Sequence, residues 1–103
     1  MVYMESSIIV QPGKVAALAE LVKETVPIWE KVGIKFIASW NTTIGNANEV
    51  TNLTAYEDMG QMQKASLLLA KDKEYQAIFQ KTEAITVSLT RKIMMPIPAS
   101  PMK

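Results

Sequence analysis

Residues 38–58 read ASWNTTIGNANEVTNLTAYED. Two runs rich in aromatic and β-branched residues flank Ile44-Gly45-Asn46-Ala47-Asn48, where Gly45 and Asn46 tolerate the positive φ that a tight connection requires. The spacing predicts a hairpin, with one strand over Ile34–Thr43 and the next over Glu49–Tyr56. Side chains alternate along a strand, so Val50, Asn52, Thr54 and Tyr56 share one face, and Phe36, Ala38 and Trp40 share a face opposite Ile37, Ser39 and Asn41. Asn and Thr on a face destined for burial demand a reason. Either they are a hydrogen-bonded pair satisfied within the core, or they line an enclosed space that is not packed shut.

The rest of the chain falls into place around this hairpin. VYMESSIIV, residues 2–10, is a strand that stops at the turn signal Gln11-Pro12-Gly13. From Lys14 to Val32 the period changes: Val15, Leu18, Val22, Val26 and Trp29 recur on one helical face. Pro27 inside that pattern predicts a kink or a tightened turn near Val22–Lys23, and Gly33 is placed to cap the helix end. Asp58 followed by Gln61 reads as a capping box opening a second helix through Met59, Met62, Ala65, Ser66 and Leu69. That helix should break near Lys71-Asp72, before a third with Tyr75, Ile78 and Phe79 on its apolar side. Ile85, Val87 and Leu89 then alternate with Thr86, Ser88 and Thr90 as a half-buried fourth strand. MMPIPASPMK, with its three prolines, is expected to be an extended C-terminal arm. One domain over residues 1–93 with an arm over 94–103 accounts for the chain.

The order β-α-β-β-α(α)-β is α+β, the ferredoxin-like split βαβ. Its helices cover one sheet face. An uncovered face bearing Ile, Val, Phe, Trp and Met would be an apolar patch that monomers rarely expose, so a homodimer closing the two open faces is expected.

Composition narrows the function. Of 103 residues 49% are hydrophobic and 20% charged, which describes a globular domain. Eleven basic side chains nearly cancel ten acidic ones without a basic stripe, arguing against nucleic acid. With no cysteine there is no disulfide or thiolate chemistry; with no histidine the usual general base, zinc ligand and haem ligand are missing. No cofactor and no metal are expected. The N-terminus lacks the pattern of a signal peptide and no apolar run is long enough for a membrane span, so the expected setting is cytoplasmic, with no membrane partner.

Four stretches together resemble the NIPSNAP family of the dimeric α/β-barrel superfamily: YMESSIIVQPGK (3–14), SWNTTIGNANEV (39–50), AYED (55–58) and RKIMMPIPASP (91–101). The resemblance runs over nearly the whole chain and implies a ferredoxin-like fold in a dimeric α/β barrel. It implies little about activity, because the superfamily spans cofactor-free monooxygenases, cyclases, isomerases and haem enzymes. Departures from the family pattern are informative. A polar series on the first strand is here Met4, Ser6 and Ile8; His and Trp before the Tyr of the third strand are here Asn52 and Thr54. An Arg early in the second helix is here Met62, and a Trp in the third is Tyr75. Bulky and charged groups have given way to small and apolar ones, which implies a roomier, oilier interior.

The expected site is therefore a barrel cavity lined by Met4, Ser6, Ile8, Phe36, Trp40, Thr54 and Met62 around two polar handles, Asn52 and Tyr56. Asn52 is suited to hold an oxyanion, and proton transfer would fall to Tyr56, Tyr3, Glu5 or a water on an Asn. Three readings follow. The first is a cofactor-independent enzyme of the monooxygenase, cyclase or isomerase type acting on a small apolar molecule. The second is a non-catalytic binder of such a molecule, and the third is a scaffold with a filled barrel.

Overall fold

The predicted hairpin forms the outer half of a four-stranded antiparallel sheet. The computed structural model describes residues Met1–Lys103 as β1 (Val2–Val10), α1 (Val15–Lys31), β2 (Lys35–Asn41), β3 (Glu49–Tyr56), α2 (Met59–Lys71), α3 (Lys73–Ile85) and β4 (Thr86–Met94). The strands lie in the order β2-β3-β1-β4, every neighbouring pair antiparallel. This is the α+β ferredoxin-like fold. All three helices cover the same sheet face, because the core draws Val2, Ile8, Val10, Val50 and Tyr56 from the sheet and Leu18, Leu21, Ile28, Met62 and Ile78 from the helices.

Local chemistry sets the helix ends. Gly33 takes φ +90 past the end of α1. Ile34 N–H then reaches back to Trp29 O at 2.9 Å and Gly33 N–H to Glu30 O at 3.1 Å, a Schellman closure. Pro27 leaves α1 a single helix to Lys31. Asp58 accepts from Gln61 N–H at 2.8 Å, while Gln61 Oε1 accepts from Glu57 N–H, one residue earlier than a standard capping box. Gln61 Nε2 also donates to Val32 O at 3.4 Å, tying the start of α2 to the end of α1. Asp72 ends α2 and caps α3, accepting from Tyr75 N–H at 2.9 Å while pairing with Lys31 of α1 at 3.1 Å. In the hairpin loop only Gly45 takes positive φ; Asn46 instead accepts from Asn48 N–H through its side chain.

Three expectations need correcting. The β2–β3 register shifts between Phe36 and Ala38: Phe36 pairs with Thr54, but Ala38 pairs with Leu53 and Trp40 with Thr51. The extra residue of this bulge reverses the alternation. Phe36 stacks on Trp29 of α1 at 5.9 Å, whereas Trp40 is 54% exposed.

Strand four is the second. Ile85 closes α3, and the strand starts at Thr86 and runs to Met94, beyond the apolar alternation that suggested it. Val87 is exposed, since β4 is an edge strand.

The third is the uncovered sheet face. It is mixed, not continuously apolar. Glu5 pairs there with Lys92 at 3.6 Å, and Glu49 accepts from Ser7 Oγ at 2.5 Å and Thr42 Oγ1 at 2.8 Å. Tyr3 and Leu53 share a groove on this face with Met95, Pro96 and Met102 of the tail, which turns at Ile97–Ser100.

Candidate functional site

One row of residues crosses the helix-covered face from edge to edge. Ser39 of β2 stands opposite Asn52 of β3, Asn52 opposite Ser6 of β1, and Ser6 opposite Arg91 of β4. The neighbouring rows are largely apolar: Val50, Ile8 and Leu89 on one side, and Phe36, Thr54, Met4 and Ile93 on the other. A polar row inside an apolar face keeps the core from closing over it. The buried residues accordingly separate into two clusters, Ile8, Val10, Leu18 and Val50 toward one end and a larger group around Leu21, Ile28, Tyr56 and Met62 toward the other.

Between sheet and helices lies a cavity of about 290 Å³, and a second of about 280 Å³ adjoins it. Ser6, Trp29, Asn52, Tyr75, Phe79 and Arg91 line both. Each is near the lower end of the range for small-molecule sites. The walls are aromatic: Trp29 rests on Phe36, and Tyr75 stacks with Phe79 at 5.9 Å. Thr25 and Thr82 turn their hydroxyls to Leu21 O and Ile78 O of their own helices.

Asn52 is the polar centre, at 4% exposure. Its Oδ1 accepts from Ser39 Oγ at 2.6 Å, while its amide NH₂ donates to no protein group. No side-chain nitrogen or oxygen sealed in the core lacks a partner, so that amide opens onto the cavities that Asn52 lines. Thr54 Oγ1 reaches Met4 O at a long 3.5 Å. Burial pushes the Tyr75 phenol above its ordinary 10.0, with Arg91 pulling the other way. The Tyr75 backbone N–H, and then Lys31, hold Asp72 below its ordinary 3.8. That cap fixes the turn from which Tyr75 enters the cavity. Glu83 of α3 is the one carboxylate on the lining.

The structure brings most of the predicted residues together. Ser6, Ile8 and Asn52 line the first cavity, and Met4, Ser6, Asn52, Thr54 and Tyr56 line the second. Phe36 stands behind Trp29, and Met62 is packed beside Tyr56 in the core without lining either cavity. Trp40 lies outside, in a surface groove with Val22 and Val26 of α1, because the bulge puts Asn41 in its place opposite Val50. Tyr3 and Glu5 are on the opposite sheet face and are not available for proton transfer here. The space lies between the sheet and the helices of the chain. Arg91, Glu83 and Ser39 were missed, Trp29 and Phe79 were read only as helix packing, and Tyr75 was singled out only as a departure from the family's Trp.

The NIPSNAP family model matches residues 7–101. The chain belongs to the NIPSNAP family. Among solved structures, a NIPSNAP family protein from Agrobacterium tumefaciens strain C58 is 24% identical with a TM-score of 0.87, both chains covered at 100%. A NIPSNAP domain protein from Burkholderia xenovorans is 20% identical with a TM-score of 0.89, covering 98% of this chain and 99% of that one. An antibiotic biosynthesis monooxygenase is 11% identical with a TM-score of 0.72, covering 95% of this chain and 100% of that one. At these identities the likeness is one of fold. No curated protein matches this NIPSNAP chain.

Proposed function

We propose that this NIPSNAP protein binds a small, largely apolar carbonyl compound in its helix-side cavity and acts on it as a cofactor-independent enzyme. The observation that carries the reading is the amide of Asn52, which has no protein partner and opens onto an aromatic-walled cavity. A preorganised donor on a largely apolar lining favours an oxygen that gains negative charge, as in enolate formation. In such a step Glu83 takes the proton next to the carbonyl, the electron pair moves to oxygen, and Asn52 holds that oxygen. Tyr56 and Tyr75 present hydroxyl groups to the cavity for proton donation. An enolate is a shared starting point for isomerase, cyclase and monooxygenase chemistry. The fold shared with an antibiotic biosynthesis monooxygenase supports that range without choosing within it.

The protein is proposed to work as a cytoplasmic homodimer joined through the uncovered sheet faces, as one domain over residues 1–93 with the 94–103 segment as its arm. No helix is long and apolar enough to cross a membrane. A second reading, a binder without turnover, is favoured by the exposure of Glu83.

The test is α-proton exchange of 2-acetylnaphthalene in deuterated water, followed by NMR with and without protein. Faster exchange with the parent than with Asn52→Leu is expected. Binding without faster exchange selects the second reading. No binding overturns the cavity as a site.

A further inference from the structure

We infer that the ligand of this cavity is an acid: an apolar ring body carrying one carboxylate, held at the β4 edge by Arg91. The inference rests on the cavity reading above and adds the charge of the ligand. Arg91 lines both cavities, yet its guanidinium makes no ion pair and no hydrogen bond, although each lysine beside the sheet's open edges, Lys35 and Lys92, has found a carboxylate. The second cavity has no other charged residue on its lining. Glu83 lines only the first, so an anion is favoured at the end where Met4, Thr54 and Tyr56 lie and disfavoured at the other.

Register supports the same polarity. Arg91 ends the row that begins at Ser39 and Asn52, two strands away from Asn52. Neighbouring strands are about 4.8 Å apart, so the two Cα atoms are separated by about 10 Å, which the arginine side chain shortens toward the centre. A ligand whose carbonyl or hydroxyl meets the Asn52 amide thus has its far end beside the guanidinium. A single planar fork matches a carboxylate with two parallel hydrogen bonds; a phosphate dianion would call for more cations than the lining offers. Trp29, Tyr75 and Phe79 supply flat apolar surface for the body between.

Three compounds with one ring system test this: 2-naphthoate, 2-naphthylmethanol and 2-naphthylmethylamine, titrated calorimetrically into the full chain at pH 7. The expected order is carboxylate above alcohol above amine, with the carboxylate about tenfold tighter than the alcohol. Arg91→Leu should remove that preference, bringing the carboxylate down to the alcohol's affinity or below, and Arg91→Lys should restore part of it. Arg91 lies on an exposed edge strand, so both variants are expected to fold. Equal binding of carboxylate and alcohol by the parent, or an unchanged preference in Arg91→Leu, overturns the inference while leaving the cavity reading intact. Failure of all three compounds to bind overturns both.

Discussion

Ser39 Oγ donates to Asn52 Oδ1 at 2.6 Å, with the amide NH₂ turned to the cavity. With the oxygen occupied by a neighbouring strand, the NH₂ is left to meet a ligand. The bond exists only because the bulge after Phe36 brings Ser39, and not Ala38, opposite Asn52. Ser39→Ala should therefore free the amide to rotate. It is expected to weaken binding of 2-acetylnaphthalene several-fold while lowering stability by only about 1 kcal/mol, as read by calorimetry and urea unfolding.

Trp40 is a surface residue at the sheet edge. Trp40→Ala should cost less than about 1 kcal/mol, in contrast to about 2–5 kcal/mol for Leu18→Ala in the sealed core. Urea denaturation of the two variants side by side checks the order. A Trp40→Ala loss as large as that of Leu18→Ala would show that the tryptophan is covered in solution.

At Gly33, a Cβ would meet Gln61 Nε2 at 3.0 Å on top of the positive φ; at Gly13 a Cβ meets nothing within 4 Å. Both alanine variants carry the left-handed backbone cost of about 1–2 kcal/mol. Gly33→Ala should lose more than Gly13→Ala, because it also disturbs the Gln61 bridge between α1 and α2. Equal losses in thermal unfolding would mean that the bridge contributes nothing.

The pKa of Asp72 is lowered in the folded chain, chiefly by the Tyr75 backbone N–H and then by Lys31. A depressed carboxylate pKa contributes stability that is present above the unfolded value of 3.8 and is lost as pH falls through the folded value. Glu49, lowered by Ser7 and then Thr42, acts in the same direction. Stability should thus fall on acidification below about pH 4. Asp72→Asn keeps a capping oxygen but cannot titrate, so its stability difference between pH 7 and pH 3 should be smaller than the parent's.

The uncovered sheet face mixes the Glu5–Lys92 pair with Tyr3 and Leu53. Pairing of two such faces should give a species of twice 11.4 kDa in analytical ultracentrifugation at micromolar concentration. Leu53→Lys should dissociate it. A monomeric parent would rule out the proposed dimer.

The strands and helices were legible because each announces itself locally: Gly33 and Asp58 mark helix ends, and the Val50-to-Tyr56 alternation marks β3. Asn52, Thr54, Ser6 and Met4 could be grouped by alternation alone, since β1 and β3 pair without a shift along that stretch. What failed was whatever depended on register between strands. A bulge has no residue signature in Lys35-Phe36-Ile37-Ala38, so Trp40 was placed on the cavity lining. Arg91 was overlooked because apolar alternation ends at Thr90-Arg91-Lys92, and an edge strand needs no further burial to continue. Which face the helices cover is likewise a packing outcome, which is why Tyr3 and Glu5 first stood beside Tyr56 as proton carriers.

The central claim is that the Asn52 amide is the ligand's polar anchor in the helix-side cavity. It is tested most directly by calorimetric titration of 2-acetylnaphthalene into the parent, Asn52→Ala and Asn52→Leu, with circular dichroism confirming that each folds. Asn52→Ala keeps the space but loses the donor, and its affinity should fall about tenfold, the worth of one buried hydrogen bond. Asn52→Leu puts an apolar side chain in the donor's place and should bind at least as poorly. If both variants fold and bind like the parent, Asn52 does not anchor a ligand and the site lies elsewhere.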